Sequence, residues 1–178
     1  IRDKDVTGVQ TCALPISIHD VDGIFTAVEV TYLAANSARA SDLRLPRKTV
    51  GPAPGGCAVQ LDPAAPEMLV GEGVFTTLSA TERFDLPGWA LLSTRNLRVW
   101  SPPEGVRSVL IAADRGKDGE ASAARLQARL SAGGVAASIA LPPAPFGDWN
   151  EWSDDVRRQA RRQRRGEEGT GRVRPGAG

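Results

Sequence analysis

The chain has 178 residues, with 22 basic and 21 acidic side chains and a net charge of +1. This length suits one domain with a tail, and the near-zero charge argues against polyanion binding over the whole surface. No apolar run is long enough to span a bilayer. Two cysteines and one histidine exclude a Cys/His zinc cluster or a disulfide framework within the chain, and fit a reducing, cytoplasmic setting.

Residues 1–16 differ in character from the remainder of the chain. Within them, residues 6–16 read VTGVQTCALPI, which resembles the translation of a common short-read sequencing adapter. A segment of that origin is excluded from fold reasoning in the same way as a fusion scar. We therefore predict that residues 1–16 are artefactual, that the sequence is metagenomic, and that native sequence begins near Ser17 with an upstream part missing.

Residues 17–66 predict a small β-rich element rather than a separate domain. Residues 23–34 and 57–61 have the β-branched and apolar composition of strands, and we expect these two strands to pair. Between them lie prolines and glycines at turn spacing, together with a basic cluster formed by Arg44, Arg47 and Lys48.

Residues 67–156 show strands alternating with helices. Short apolar strands are predicted at 68–70, 90–92, 109–113 and 135–141, with helices at 74–84 and after residue 118. The second helix has Ala123, Leu126 and Leu130 on one face. Such alternation is typical of an α/β fold, so we expect a mainly parallel sheet of about four strands flanked by helices.

Four carboxylates occupy positions that suggest chemistry. Glu72 lies between two glycines after the first of these strands, Asp114 ends the 109–113 strand, Asp118 lies where a helix starts, and Asp148 follows the last strand. In open α/β sheets the carboxyl edge binds ligands. Carboxylates that converge there repel each other unless a shared proton or a cation relieves them, and a hard cation such as Mg²⁺ is the expected one. Asp118 and Asp148 could equally be helix N-caps.

From residue 157 the chain turns basic, and we predict that 157–178 form a disordered tail. The segment RRQARRQRR has six arginines in nine positions, including Arg157, Arg158, Arg161 and Arg162. Arginine at that density attracts phosphate backbones without reading base sequence, at a strength that falls with salt. A solvated helix end is the alternative. With Arg47 and Lys48, these residues predict weak, non-specific binding of single-stranded nucleic acid.

Three motifs in series, LVGEG, IAADRGKDGE and GDWNEW, carry a family resemblance. Residues 47–52, RKTVGP, and the pair Gly55-Gly56 precede them. Over residues 23–152 the chain resembles the Toprim domain of phage- and plasmid-type DNA primases and primase-helicases. The resemblance implies a Rossmann-like Toprim fold and metal-dependent nucleotidyl transfer on nucleic acid. Glu72 is then the acid/base or metal-organising residue, and Asp114 the first Asp of the family's DxD ligand pair.

The resemblance further implies Mg²⁺ or Mn²⁺ as cofactor, with Asp118 and Asp148 as additional ligands. It implies a DNA or RNA template and nucleotides as partners, along with a zinc module or helicase domain outside this chain. The family turn is DxDxxG, whereas Gly116 stands here at the second Asp position and Asp118 is displaced by two. A non-catalytic Toprim-fold module that binds nucleic acid, or a Toprim nuclease, therefore remains an alternative.

Overall fold

The computed structural model describes residues 12–34 and 43–170, with side chains up to residue 165. The strands are β1 (Cys12–His19), β2 (Phe25–Leu33), β3 (Arg47–Val50), β4 (Val59–Gln60), β5 (Glu67–Gly71), β6 (Gly88–Ala90), β7 (Ser108–Ala112) and β8 (Ala136–Ala140). The helices are α1 (Val74–Phe84), α2 (Thr94–Val99), α3 (Lys117–Ala132) and α4 (Trp149–Thr170).

The first three strands form an antiparallel sheet in the order β1-β2-β3. The predicted pairing of the 23–34 strand with residues 57–61 is wrong. Strand β2 pairs with β1 and β3, while β4 pairs with β6 in the second sheet. A bridge between His19 and Ala58 links the two sheets.

Strand β1 begins at Cys12, inside the segment predicted to be artefactual. Residues 12–16 pair with β2 and so take part in the fold, although this segment was left out of the prediction of the fold. Backbone pairing of this kind needs no particular side chains, and residues 12–15 are indeed exposed. Ile16 packs against a small apolar cluster. The proposed origin of the segment stays a prediction, and residues 1–11 lie outside the described part of the chain.

The second sheet has five strands in the order β4-β6-β5-β7-β8. Strands β6, β5, β7 and β8 are parallel, which confirms the predicted mainly parallel α/β sheet. The strand beyond the expected four is β4, which adds to the edge in the antiparallel sense. The chain passes from β5 to β6 on one side and then crosses to β7 on the other.

Successive residues of the central strands face opposite layers. Met68 and Val70 of β5 pack with Ile111 of β7 and with α2 and α3, in a cluster that includes Trp100. Leu69 faces the other layer, where α1 and α4 lie. The predicted inner face of α3 is confirmed, since Ala123, Leu126 and Leu130 are all buried.

Helix α4 continues through the arginine-rich segment as far as Thr170. The predicted disorder is therefore wrong for residues 157–170, and residues 171–178 lie outside the described chain. Arginine and glutamine are good helix formers, and the start of α4 is anchored by Trp149, whose ring centroid lies 5.0 Å from that of Phe84. In the part of the chain that is described, no helix is both long enough and apolar enough to cross a membrane.

Candidate metal centre

The carboxyl ends of β5 and β7 create the position at which ligands bind in open α/β sheets. These strands are adjacent and parallel, but the connections that leave them run to opposite sides of β5. Ligand-binding crevices form at such a reversal of strand order. Gly71 is paired with Ala112, Glu72 follows Gly71 directly, and Asp114 is the second residue after Ala112, so the two carboxylates lie on the two sides of the crevice. The predicted carboxyl-edge location of both residues therefore agrees with the structure.

Glu72 is held in a tight turn by its backbone and its neighbours. The Leu92 N–H donates to the Glu72 carbonyl oxygen at 2.6 Å. A Cβ at Gly71 would come within 2.5 Å of Thr77 Oγ1, so only glycine lets α1 pack this closely behind the turn. Burial raises the pKa of Glu72 above its ordinary value and the charge of Asp118 adds to this, while Arg47 and a hydrogen bond from the Thr94 backbone oppose it.

Asp114 is the most perturbed carboxyl group of this crevice. Its Oδ1 atom is buried and has no hydrogen-bond partner among the described residues. Burial raises the pKa of Asp114 to about 7, and the charges of Glu72, Asp148 and Glu151 contribute further. A half-buried carboxylate facing three others is electrostatically unfavourable unless a proton or a cation is present.

Asp118 lies in the first turn of α3 and is exposed. It forms an ion pair with Arg98 of α2. A hydrogen bond from the Thr94 side chain and the charge of Arg98 hold the pKa of Asp118 below its ordinary value. The N-cap residue of α3 is Gly116, so the alternative that Asp118 is the N-cap is wrong.

Asp148 does cap a helix. The Glu151 N–H donates to Asp148 Oδ1 at 2.8 Å, and Glu151 Oε2 accepts from the Gly147 N–H at 2.8 Å. The Arg115 N–H donates to the Gly147 carbonyl oxygen at 2.7 Å, which ties this loop to the Asp114 turn. Asp148 is therefore both a cap and a negative charge close to Asp114.

Arg47 and Lys48, predicted together as nucleic-acid contacts, lie apart because adjacent strand residues face opposite sides. A Cβ at Gly73 would be 3.6 Å from Arg47 Nη1, which places this guanidinium over the Glu72 turn. Lys48 Nζ instead lies 5.5 Å from the centroid of the Tyr32 ring. Arg47 is thus the basic residue that the antiparallel sheet contributes to the crevice.

Thr94 and Arg98 take part in the site through α2, a helix that the sequence interpretation missed. Ser93 Oγ accepts from the Asn96 N–H at 3.2 Å, so an N-cap serine was the available signal. Glu151 was also left out of the predicted ligands. It contributes to the high pKa of Asp114.

The arginines predicted as nucleic-acid contacts lie on α4, away from the crevice. Arg157 forms ion pairs with Glu82 and Asp154, and Arg158 pairs with Asp155. Arg161 and Arg162 are exposed.

The chemistry of the donors fits a hard divalent cation. In the described ranges, no group of three or more His, Cys, Asp or Glu side chains is arranged as a preformed metal site. Mg²⁺ does not need one, because it keeps several waters and takes one or two protein carboxylates. Glu72 and the unpartnered oxygen of Asp114 meet that requirement.

Comparison with known families identifies the fold. The Toprim domain family matches residues 67–160, which is more than half of the chain, and the chain belongs to that family. No curated protein sequence matches it significantly.

Solved structures of primases share this fold. The primase fragment of the bacteriophage T7 primase-helicase protein aligns with a TM-score of 0.59 and 16% identity, over 86% of this chain and 61% of that one. The DnaG primase catalytic domain bound to ssDNA aligns with a TM-score of 0.55 and 14% identity, over 89% and 51%. The Aquifex aeolicus primase, with its zinc-binding and RNA polymerase domains, aligns with a TM-score of 0.52 and 17% identity, over 88% and 42%. The chain thus spans about three fifths of the first structure, half of the second and two fifths of the third.

Proposed function

We propose that this chain is the Toprim catalytic portion of a DNA primase-like replication protein and that it transfers nucleotides on nucleic acid with Mg²⁺ or Mn²⁺. The observation that carries the proposal is Asp114. Its buried Oδ1 has no partner among the described residues, and its pKa is raised to about 7 by burial and by neighbouring carboxylates. A cation at this position relieves both conditions.

Glu72 and Asp114 are the residues that would hold the metal. When bound, a divalent cation neutralises phosphate charge and stabilises the attacking and leaving oxygens. The chain's own groups supply orientation. The Thr94 backbone hydrogen bond fixes the Glu72 carboxylate, and Arg47 adds a positive charge beside it.

A cavity lined in part by Leu92, whose N–H donates to the Glu72 carbonyl oxygen, offers space for a nucleotide. It has a volume of about 660 Å³, and its walls include Ser93 and Arg95 of the α2 region and Thr49 of β3. Ligand sites for small molecules commonly have this size. The template and the zinc and helicase modules belong to the proposal for the intact protein, since the similar structures include a primase-helicase fragment and a primase with a zinc-binding domain.

A non-catalytic module that binds nucleic acid is the second candidate. Two observations favour it: Gly116 takes the place of the second family aspartate, and Asp118 is already engaged by Arg98. Both would weaken a metal site without affecting the fold.

Metal titration separates the two candidates. We would titrate Mg²⁺ and Mn²⁺ into the full chain by calorimetry at a pH above 8, where Asp114 is ionised. The catalytic proposal expects one bound metal, at least a tenfold loss of affinity in Glu72→Gln and in Asp114→Asn, and a smaller loss in Asp118→Asn. The matched control is Glu67→Gln, because Glu67 begins β5 at the edge of the sheet opposite Glu72.

If the unaltered chain binds no metal, or if Glu72→Gln and Asp114→Asn bind as tightly as the control, the catalytic proposal fails. We expect metal binding without primer synthesis from this chain alone, because it spans only part of the primase structures that it resembles.

A further inference from the structure

The arginines of α4 lie on one side of the helix. At 100° per residue, the six arginines of residues 157–165 fall within an arc of about 160°. We name this set the arginine face; its members are Arg157, Arg158, Arg161, Arg162, Arg164 and Arg165. Trp149 and Ser153, which are buried against the domain, lie about 60° and 20° beyond the Arg164 border of this arc. Arg157 is therefore near the packed side, where it pairs with Glu82 of α1, whereas the four arginines from Arg161 onward are exposed to solvent.

Among the described side chains, only two arginines of this face form ion pairs. Arg157 and Arg158 are paired with acidic side chains, as described above. The other four arginines are exposed, and no ion pair joins them to any side chain up to residue 165. Like charges three and four residues apart destabilise a helix. A polyanion bound along this face removes that repulsion.

Helix geometry favours a duplex over a single strand. Proteins that bind single strands combine basic grooves with aromatic stacking platforms, and residues 153–165 contain no aromatic side chain. A helix about 10–12 Å wide fits the roughly 12 Å major groove of B-form DNA. An arc of about 160° lets arginines at its two borders reach the phosphates on both groove walls.

We propose that the arginine face of α4 binds the phosphate backbone of duplex DNA. This replaces the single-strand preference predicted from the sequence. Arg161 follows Asp148 by 13 residues, which is about 20 Å along the helix axis, so the face is separate from the metal centre. That the arginine face holds duplex DNA next to a catalytic site rests on the proposed function. That the face binds duplex DNA does not.

Salt dependence tests the proposal with the full chain. We would measure binding of a fluorescent 20-base-pair duplex, and of one of its single strands, by anisotropy between 50 and 200 mM salt. Each arginine that neutralises a phosphate contributes about 0.9 to the slope of log K against log salt. Replacing Arg161, Arg162, Arg164 and Arg165 by Gln should reduce the slope by about 3.6. The affinity lost by the variant should therefore be roughly 10²-fold greater at 50 mM salt than at 200 mM salt.

Circular dichroism and three further variants serve as controls. Gln has nearly the helix propensity of Arg, so circular dichroism should show unchanged helicity in the quadruple Gln variant. The quadruple Lys variant should keep the slope, because a lysine also neutralises a phosphate. The single changes Arg162→Gln and Arg107→Gln each remove one exposed positive charge, but Arg107 precedes β7 at the other end of the sheet. Only the first should lower the slope.

An unchanged slope in the quadruple Gln variant overturns the proposal, and so does tighter binding of the single strand than of the duplex. The same variant should bind Mg²⁺ like the unaltered chain. Failure of duplex binding is therefore distinguishable from failure of the metal centre.

Discussion

Replacing Asp114 by asparagine should stabilise the metal-free protein, and increasingly so as the pH rises. In the folded chain the pKa of Asp114 is raised from 3.8 to about 7, so between these values the folded state binds more protons than the unfolded state. Stability is then lost as the pH rises through this window. Asparagine has nearly the same shape and carries no charge, so it avoids the loss.

The size of the effect follows from the displacement of the pKa. Raising the pH from 5 to 8.5 ionises the folded carboxyl at a cost of at most about 3 kcal/mol. Because the side chain is only partly buried, solvent screening reduces this to roughly 1.5 kcal/mol. For a chain of this length that corresponds to a difference in Tm of about 3–6 °C.

Urea denaturation in EDTA at both pH values measures the difference directly. We expect the advantage of Asp114→Asn over the unaltered chain to grow by roughly 1.5 kcal/mol between pH 5 and 8.5. With Mg²⁺ at a hundred times the Kd of the unaltered chain, that chain should gain about 2.7 kcal/mol, and the variant, which binds at least tenfold more weakly, should gain no more than about 1.4 kcal/mol. An equal difference at the two pH values would show that Asp114 titrates normally, and the electrostatic argument for the site would then fail.

Two further changes test the loops around the site. Gly116 has φ +123°, which a residue with a side chain adopts only under strain, so Gly116→Asp should lower the free energy of unfolding by about 1–2 kcal/mol. Gly116→Ala should lower it by as much, and Gly116→Asp should not tighten Mg²⁺ binding. Tighter metal binding with unchanged stability would mean that the loop follows the path of the family's DxDxxG turn. The buried Asn96 side chain accepts a hydrogen bond from the Gly56 N–H at 2.6 Å and donates to the carbonyl oxygens of Cys57 at 2.6 Å and Leu91 at 2.7 Å. Asn96→Ala should therefore lower the free energy of unfolding, measured by urea denaturation, by about 3 kcal/mol. Gln159→Ala on exposed α4 is its control, and an equal loss in both would refute the assignment.

Local pattern was enough to predict the parallel core and the position of its carboxylates. The apolar runs of β5 and β7 are continuous and short, and the buried face of α3 repeats at helical spacing. Parallel strands with such connections place their carboxyl ends at one edge, so Glu72 and Asp114 could be assigned to that edge without coordinates.

Other features depend on residues far apart in the chain. Strand β4 has only two residues, and their side chains do not indicate whether the strand pairs with β2, as predicted, or with β6, as the structure shows. The pair Arg98–Asp118 joins two helices that only the packed sheet brings together. Beyond residue 156 helix α4 lacks an apolar stripe, so the composition of this part suggested disorder. Packing of Trp149 on Phe84 supports the first turns of the helix and lets good helix formers extend it. The burial of Asp114 among like charges is likewise a property of the assembled crevice. The sequence shows that a carboxylate is present, but not that folding removes it from solvent.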